Sequence, residues 1–354
     1  MTFSRILATC LFAAASQLMA AAPSNAAPGD TIYARPGRLV ETDDGAKLNL
    51  YCMGHGSPAV VFDSGWEDWA PAWAIVQPKV AKWTRACAYD RAGAGFSGAG
   101  PMPRTSTRIA GELRSALRRA GIAGPYILVG HAFGSDNVRT FAELYMADVA
   151  GIVLVEGDVL ELEPADQQDA DHKGEVDLVA RLRACRDEVA SRKPLSLLPR
   201  RPGRPPRTCA QQFFRGIPEG EWSAALNAKL LEIAQTKVAL YDAYISEMEQ
   251  MPADEAFLQQ HRRSYGDRPL RVVYTGRHGV GSLLNQPPPS AEHTRYEDEV
   301  RRAQALWLTR SSNSRAIFAD NSSEYVVFDA PNVVVDAIKD VYDVSRKPKG
   351  KTAP

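Results

Sequence analysis

A strand that ends in a glycine-flanked turn and passes straight into a helix can hold one side chain out above a sheet. The segment Tyr126-Ile127-Leu128-Val129-Gly130-His131-Ala132-Phe133-Gly134-Ser135 has that form: an apolar run, a middle residue bracketed by Gly130 and Gly134, and a helix beginning near Phe133. The two glycines leave room for a sharp turn that strains the residue between them. In acyl transfer, the group at such a place is a hydroxyl or thiol that attacks, gives its proton to an imidazole, and relies on a carboxylate to hold that imidazole. Here the middle residue is Ala132, and a methyl cannot attack. Ser135 lies in the first helical turn, where a small residue serves packing or capping, so it is read as structural and out of reach.

The chain has six histidines, and none shows the paired spacing that suits a metal, so no metal site is expected. His131 precedes the turn and is read as a satisfied core histidine pointing into the sheet. His278, in Thr275-Gly276-Arg277-His278-Gly279-Val280-Gly281, follows a strand-like run and is the best substitute base, against the plainer reading of a surface-loop histidine. Gly93-Ala94-Gly95-Phe96-Ser97-Gly98 matches G-x-G-x-x-G after a strand. A dinucleotide site needs a helix starting at the third glycine, with its N-terminus facing the pyrophosphate. Gly100, Pro101 and Pro103 intervene, so no cofactor is expected.

Around these residues, short apolar runs alternate with helical patterns, which implies a mostly parallel sheet. Strands are expected at 38–42, 47–53, 59–63, 85–90, 126–130, 151–156, 270–275 and 314–319. The clearest helix is Ser106 to Ala120, with Ile109, Leu113, Ala116, Leu117 and Ala120 at helical spacing and Thr105 or Ser106 as its cap. From about Val159 to Tyr265 the sequence becomes charged and helix-forming, without a strand pattern, and is broken by the Pro-rich 193–206. The alternation then resumes and closes with Pro331 to Val341, a packed helix with proline at its start. The basic end of the chain, 346–354, is expected to be disordered.

The 354 residues are 45% apolar and 24% charged, and 42 basic residues cancel 42 acidic ones. That balance suits a globular chain with no field attracting nucleic acid or an anionic membrane, so no nucleic-acid partner is expected. Runs such as Arg200, Arg201, Arg204 and Arg207 sit among Pro and Gly and read as solvated loop. Arg5, an apolar stretch from Ile6 to about Ala22, and Ser24-Asn25-Ala26 read as a secretory signal over 1–26, not as a stable membrane anchor. Export to a periplasmic or extracellular compartment follows as an expectation. Without Cys10, the chain keeps Cys52, Cys87, Cys185 and Cys209, an even set suited to two disulfides, with three connectivities open.

The chain resembles the α/β-hydrolase superfamily, and particularly its exported serine-hydrolase-like branch with a helical lid. Phe62-Asp63-Ser64-Gly65-Trp66 is similar to the loop that completes the oxyanion hole, and Tyr89 to Ser97 to the Gly-rich turn after the fourth strand. Gly130 to Gly134 matches the nucleophile elbow, and Leu154-Val155-Glu156 resembles the end of the sixth strand. Asn321-Ser322-Ser323-Glu324-Tyr325, followed by Asp329-Ala330-Pro331, resembles the loop that supplies the histidine one residue before an aromatic; that position holds Glu324.

The resemblance implies an eight-stranded, mostly parallel sheet with helices on both faces, formed by 27–158 and 266–345, and an inserted helical lid over 159–265. It places Ala132 at the nucleophile position, Glu324 at the histidine position and Glu156 at the acid position, with backbone donors at Trp66 and Phe133. In that fold the second and fourth strands are neighbours, which implies a Cys52–Cys87 bridge, and Cys185 and Cys209 then share the insert. Losing both nucleophile and imidazole excludes the conventional acyl-enzyme route. The leading expectation is therefore a catalytically altered hydrolase-fold protein that still binds an apolar or ester-like small molecule. One alternative is an enzyme using a Glu156–Glu324 pair or His278 as base, and another is a structural or protein-interaction role.

Overall fold

The computed structural model describes residues 29–157, 165–198, 206–213, 222–277 and 290–347. The expected signal segment, His278, the start of the insert and the end of the tail lie outside these residues. A short 3-10 turn, Asp30–Ala34, leads into eight strands: β1 Arg38–Glu41, β2 Lys47–Met53, β3 Ala59–Asp63, β4 Ala86–Asp90, β5 Tyr126–His131, β6 Val149–Val155, β7 Leu270–Thr275 and β8 Ser314–Ala319. The helices are α1 Gln77–Val80, α2 Ser106–Arg119, α3 Phe133–Tyr145, α4 Ala165–Ala190, α5 Cys209–Phe213, α6 Ala224–Thr236, α7 Val238–Gln260, α8 Ala291–Leu308, α9 Val326–Asp329 and α10 Pro331–Ser345.

The strands form one sheet in the order β1-β2-β4-β3-β5-β6-β7-β8. β1 with β2 and β2 with β4 are antiparallel, and every other pairing is parallel. β3, β5 and β7 are buried along their whole length, which is why they read as unbroken apolar runs: parallel strands are covered on both faces. Alternate residues divide between two cores. Val60, Phe62, Ile127 and Val129 face α10 and the insert helices, whereas Val61, Leu128, Ile152 and Leu154 face α2, α3 and α8.

The ends of α2 follow the expected chemistry: the Thr105 hydroxyl accepts from Arg108 N, and the Asp254 carboxylate accepts from Ser106 N at 2.9 Å. α10 runs one turn beyond the expected Val341, because Tyr342 stays buried and keeps the apolar stripe going. Two features of the insert differ from a purely helical reading. Leu197 and Thr208 form an isolated antiparallel bridge, and Pro252 lies inside α7 without ending it.

Both disulfides are present. Cys52 and Cys87 are direct cross-strand partners on β2 and β4. Cys185 on α4 joins Cys209 at the start of α5, closing a loop of 24 residues in sequence separation. Among the described residues, no helix is long and apolar enough to cross a membrane. Peptide mapping without reduction should return the pairs Cys52–Cys87 and Cys185–Cys209. Replacing Cys185 and Cys209 together by serine should lower the unfolding free energy by about 3 kcal/mol, the chain-entropy value for a loop of this length. A crossed pairing, or an unchanged denaturation midpoint in the double variant, contradicts this.

Candidate functional site

The site is built where β5 ends. Ala132 has φ 47° and ψ −125°, a conformation that L-residues adopt only under constraint, and α3 starts at the next residue. The constraint is steric. A Cβ on Gly130 would collide with the Gly134 carbonyl and the Ser135 backbone, and one on Gly134 would collide with the Asp63 carbonyl at the end of β3. Ala132 N donates to Val155 O at 3.0 Å, and Ser135 N donates to Ala132 O at 2.7 Å, fixing the turn from both sides. The methyl of Ala132 is partly exposed and carries no heteroatom. Ser135 is fully buried and its hydroxyl donates to Gly130 O at 3.0 Å, so it does not stand in for a nucleophile. Phe133 N–H opens α3, where a helix leaves its first donors without intrahelical partners.

Beside the elbow runs the loop after β3, Ser64 to Trp69, held by a buried guanidinium. Arg91 follows β4 and is 2% exposed. Its Nη1 donates to Asp63 Oδ1 at 2.9 Å and to Ser64 O at 2.7 Å, and its Nη2 donates to Gly65 O at 2.8 Å. Its Nε donates to Glu247 Oε1 on α7 at 2.9 Å, and its guanidinium lies 5.3 Å from the Phe133 ring centre. Burial opposes the charge, but Glu247 and Asp63 more than restore it and keep Arg91 firmly protonated. The insert is tied to this loop a second time, because Trp66 Nε1 donates to Tyr244 O and the Tyr244 hydroxyl donates to Glu67 O.

The same loop brings acids to the elbow. Burial pushes the Asp68 carboxyl up to about 7; Arg91 pulls it down and the charge of Glu324 pushes it further up. Burial also pushes Glu67 up to about 8, with Asp68 adding to the shift and Arg181 opposing it. Glu67 carries a strained φ of 65°. Glu324 is half-buried on the loop before α9. That loop is anchored by Asp329 Oδ2, which accepts from Ser323 N and Oγ, and by the Thr275 hydroxyl, which donates to Ser323 O at 2.6 Å.

Glu156 follows β6 with φ 47° and is buried; its Oε2 accepts from Thr275 N at 3.2 Å. The carboxylate whose charge acts on Asp68 is thus Glu324, while Glu156 acts on His131.

His131 departs from the expectation of a satisfied core histidine. Its ring is 3% exposed and Nε2 contacts Glu324 O at 3.0 Å. A carbonyl can only accept, so Nε2 carries the hydrogen. Nδ1 is then a bare acceptor, buried and without a partner. Burial lowers the pKa of the ring, against the hydrogen bond to Glu324 O and the charge of Glu156, so His131 is neutral at pH 7. The reason is geometric: the strained elbow turns His131 toward the loop carrying Glu324, and Gly65 opposite offers no side chain to meet Nδ1.

Of the residues expected from the sequence, Ala132 lies after β5, Glu156 after β6 and Glu324 before α9; Asp68, Arg91 and Glu247 were not among those expected. The signal for Asp68 was available: two adjacent acids, Glu67 and Asp68, between Trp66 and Trp69, sit in a stretch too aromatic to be solvated. The Gly-rich turn after β4 meets the start of α7. Its carbonyls at Ala94, Gly95 and Ser97 accept from Lys237 Nζ, the residue that precedes α7. Among the described residues, no group of three or more metal-ligating side chains converges.

A sequence profile described as alpha/beta hydrolase fold matches residues 58–182, the stretch from β3 through the elbow and β6 into α4. The fold is that of the α/β hydrolases. A Pseudomonas aeruginosa protein assigned as an epoxide hydrolase, in a variant form, superposes on this hydrolase fold with a TM-score of 0.60 at 14% identity, over 87% of this chain and 95% of that one. A thermophilic esterase from Thermogutta terrifontis gives 0.55 at 15% identity, over 87% and 98%. At such identities the likeness is one of fold. The uncharacterized protein YbdG of Bacillus subtilis is 30% identical over 122 residues, 34% of this chain and 37% of that protein. The chain thus spans well under half the length of that curated relative.

The buried charges give two expected outcomes. Glu247→Ala leaves Arg91 short of a partner and should cost about 3–5 kcal/mol, read from denaturant unfolding. Asp68 titrates near 3.8 when unfolded and near 7 when folded. The folded state therefore holds a proton that the unfolded chain releases between those values, so this group's contribution is complete below about pH 4 and is lost as pH rises through 7. Asp68→Asn should flatten the fall in stability between pH 4 and 7.5 by on the order of 2–4 kcal/mol. Parallel stability curves for the two proteins would contradict this.

Proposed function

We propose that this hydrolase-fold protein binds an apolar or ester-like small molecule above Ala132 and does not form an acyl-enzyme. One observation carries the reading: the elbow keeps its strained geometry, with φ 47° and ψ −125°, around a residue that has no nucleophilic atom. The positioning elements support ligand binding without the attacking group. Trp66 and Tyr244 pack with ring centres 5.9 Å apart beside the elbow, and the Phe133 N–H lies at a helix N-terminus. A backbone donor there can hold a carbonyl oxygen whether or not a serine stands below it.

Helices α4 to α7 are read as the lid of this site, on the support of the Arg91–Glu247 and Trp66–Tyr244 contacts. Export to an oxidising compartment accords with the two disulfides and with the apolar stretch of residues 6–22.

A second reading, in which a carboxyl moves a substrate proton, is favoured by Asp68, whose proton is held up to about 7. It predicts a rate inflection near that pH that disappears in Asp68→Asn.

Calorimetry with 4-nitrophenyl butyrate should register binding to the wild-type protein without release of nitrophenol, and a serine-directed phosphonate should not label it. The Ala132→Ser, Glu324→His double variant should be labelled and should hydrolyse the ester on the order of 10²-fold faster or more. Wild-type turnover at ordinary enzymatic rates of about 1–10³ s⁻¹, or stoichiometric labelling at Ser135, overturns the proposal.

A further inference from the structure

Gly65 is the residue around which the polar atoms of the site gather. A Cβ built on its backbone would stand 3.4 Å from each of three atoms: the Cβ of Ala132, Oδ2 of Asp68 and Nδ1 of His131. Its φ lies outside the left-handed region, so neither backbone strain nor steric collision requires glycine there. What glycine leaves is a gap of about one heavy atom beside the elbow. His131 Nδ1 borders that gap as a buried acceptor with no partner. A buried acceptor left unmet has lost its water without replacement, a penalty that a donor seated against it relieves.

We propose that His131 Nδ1 and Asp68, meeting across Gly65, form a receptor for a single hydroxyl group, either a water molecule or the alcohol of a ligand. It rests on the reading of the space above Ala132 as a ligand site, and it specifies the polar group that the site selects. The selection follows from the two partners. His131 is neutral with its hydrogen on Nε2, so Nδ1 requires a donor. Asp68 in its acid form supplies a donor and requires an acceptor.

A hydroxyl donates to Nδ1 and accepts from Asp68 at once, whereas an ether can only accept and leaves Nδ1 unmet. A hydroxyl held there rests against the methyl of Ala132, next to where an attached serine oxygen would project. Among the described residues, the other charged groups that bear on this pair are Arg91 and Glu324, which act on Asp68, Glu67, which is coupled to Asp68, and Glu156, which acts on His131.

The test reads the Nδ1 resonance of His131 in protein labelled with ¹⁵N-histidine, assigned by its loss in His131→Gln. Gly65→Ala places a methyl in the gap at ordinary contact distances and should leave the fold intact. If water is the occupant, the ligand-free wild type shows Nδ1 displaced upfield as a hydrogen-bonded acceptor, and both Gly65→Ala and Asp68→Ala move it back by several ppm. If a ligand alcohol is the occupant, the displacement arises only on adding benzyl alcohol; benzyl methyl ether does not produce it, and Gly65→Ala abolishes the response.

An Nδ1 resonance that is the same in wild type, Gly65→Ala and Asp68→Ala, with and without benzyl alcohol, overturns the proposal. So does a histidine protonated on Nδ1. Should Gly65→Ala fail to fold, Asp68→Ala gives the same decision. Binding of 4-nitrophenyl butyrate separates the two readings: retained ester binding with an indifferent Nδ1 rejects the hydroxyl receptor alone. A responsive Nδ1 without ester binding supports the receptor and rejects the ester reading.

Discussion

The architecture of the site depends on one buried cation. Arg91 is enclosed by Asp63 from the end of β3 and Glu247 from α7, and it spends its remaining donors on the carbonyls of Ser64 and Gly65. A guanidinium suits this task because its planar fork can meet carboxylates and carbonyls in fixed directions at once. Holding those carbonyls also fixes the peptide planes of the loop that carries Trp66, Glu67 and Asp68. The insert cannot lift from the core at Glu247 without stripping a charge from an interior cation, which is among the costliest local events available to a fold. Access to the elbow must therefore come from elements other than this part of α7.

The form of the elbow and the identity of the residue at its tip are separable because they rest on different physics. The strained backbone at Ala132 is imposed by close approach of Gly130 and Gly134 to their neighbours, which concerns only backbone atoms and the core beneath. Nothing in that packing requires an oxygen on residue 132. The loop carrying Glu324 is likewise held by Asp329, Ser323 and Thr275, and not by the identity of residue 324. The scaffold's form is thus independent of which side chains stand at 132 and 324. What depends on residue 324 is the electrostatics, since its carboxylate bears on Asp68 and raises its hold on a proton.

The strands were readable in the sequence because central parallel strands are short apolar runs bounded by Gly, Pro or charge, and Val60 or Leu128 has no other place to go. The caps at Thr105 and Pro331 were readable for a local reason: they satisfy or avoid donors within one turn. His131 was misread because its environment is decided at long range. The carbonyl that takes its Nε2 proton lies 193 residues away, and the absence that leaves Nδ1 open belongs to Gly65. Glu247 was invisible for the same reason, since its partner is 156 residues distant and α7 by itself reads as an ordinary charged helix. The glycine-rich turn shows the opposite case, a local pattern that resembles an anion cradle although its N–H groups at Gly93, Ala94, Phe96 and Ser97 are bound within the protein and its carbonyls take Lys237.

The bridge between Cys185 and Cys209 changes what a broken backbone means for this molecule. Any peptide bond cut between those two residues leaves the fragments joined through sulfur, with α4 still tethered to the chain that enters α5. The Pro- and Arg-rich stretch lies inside this ring in sequence, so a trypsin-like protease acting after Arg200 or Arg207, the two arginines there not followed by proline, would yield a nicked protein whose pieces stay together until it is reduced. Loop closure varies only with the logarithm of length, so this ring can also gain or lose residues at small thermodynamic cost. The segment is consequently free to diverge in sequence and length while the helices on either side remain in register.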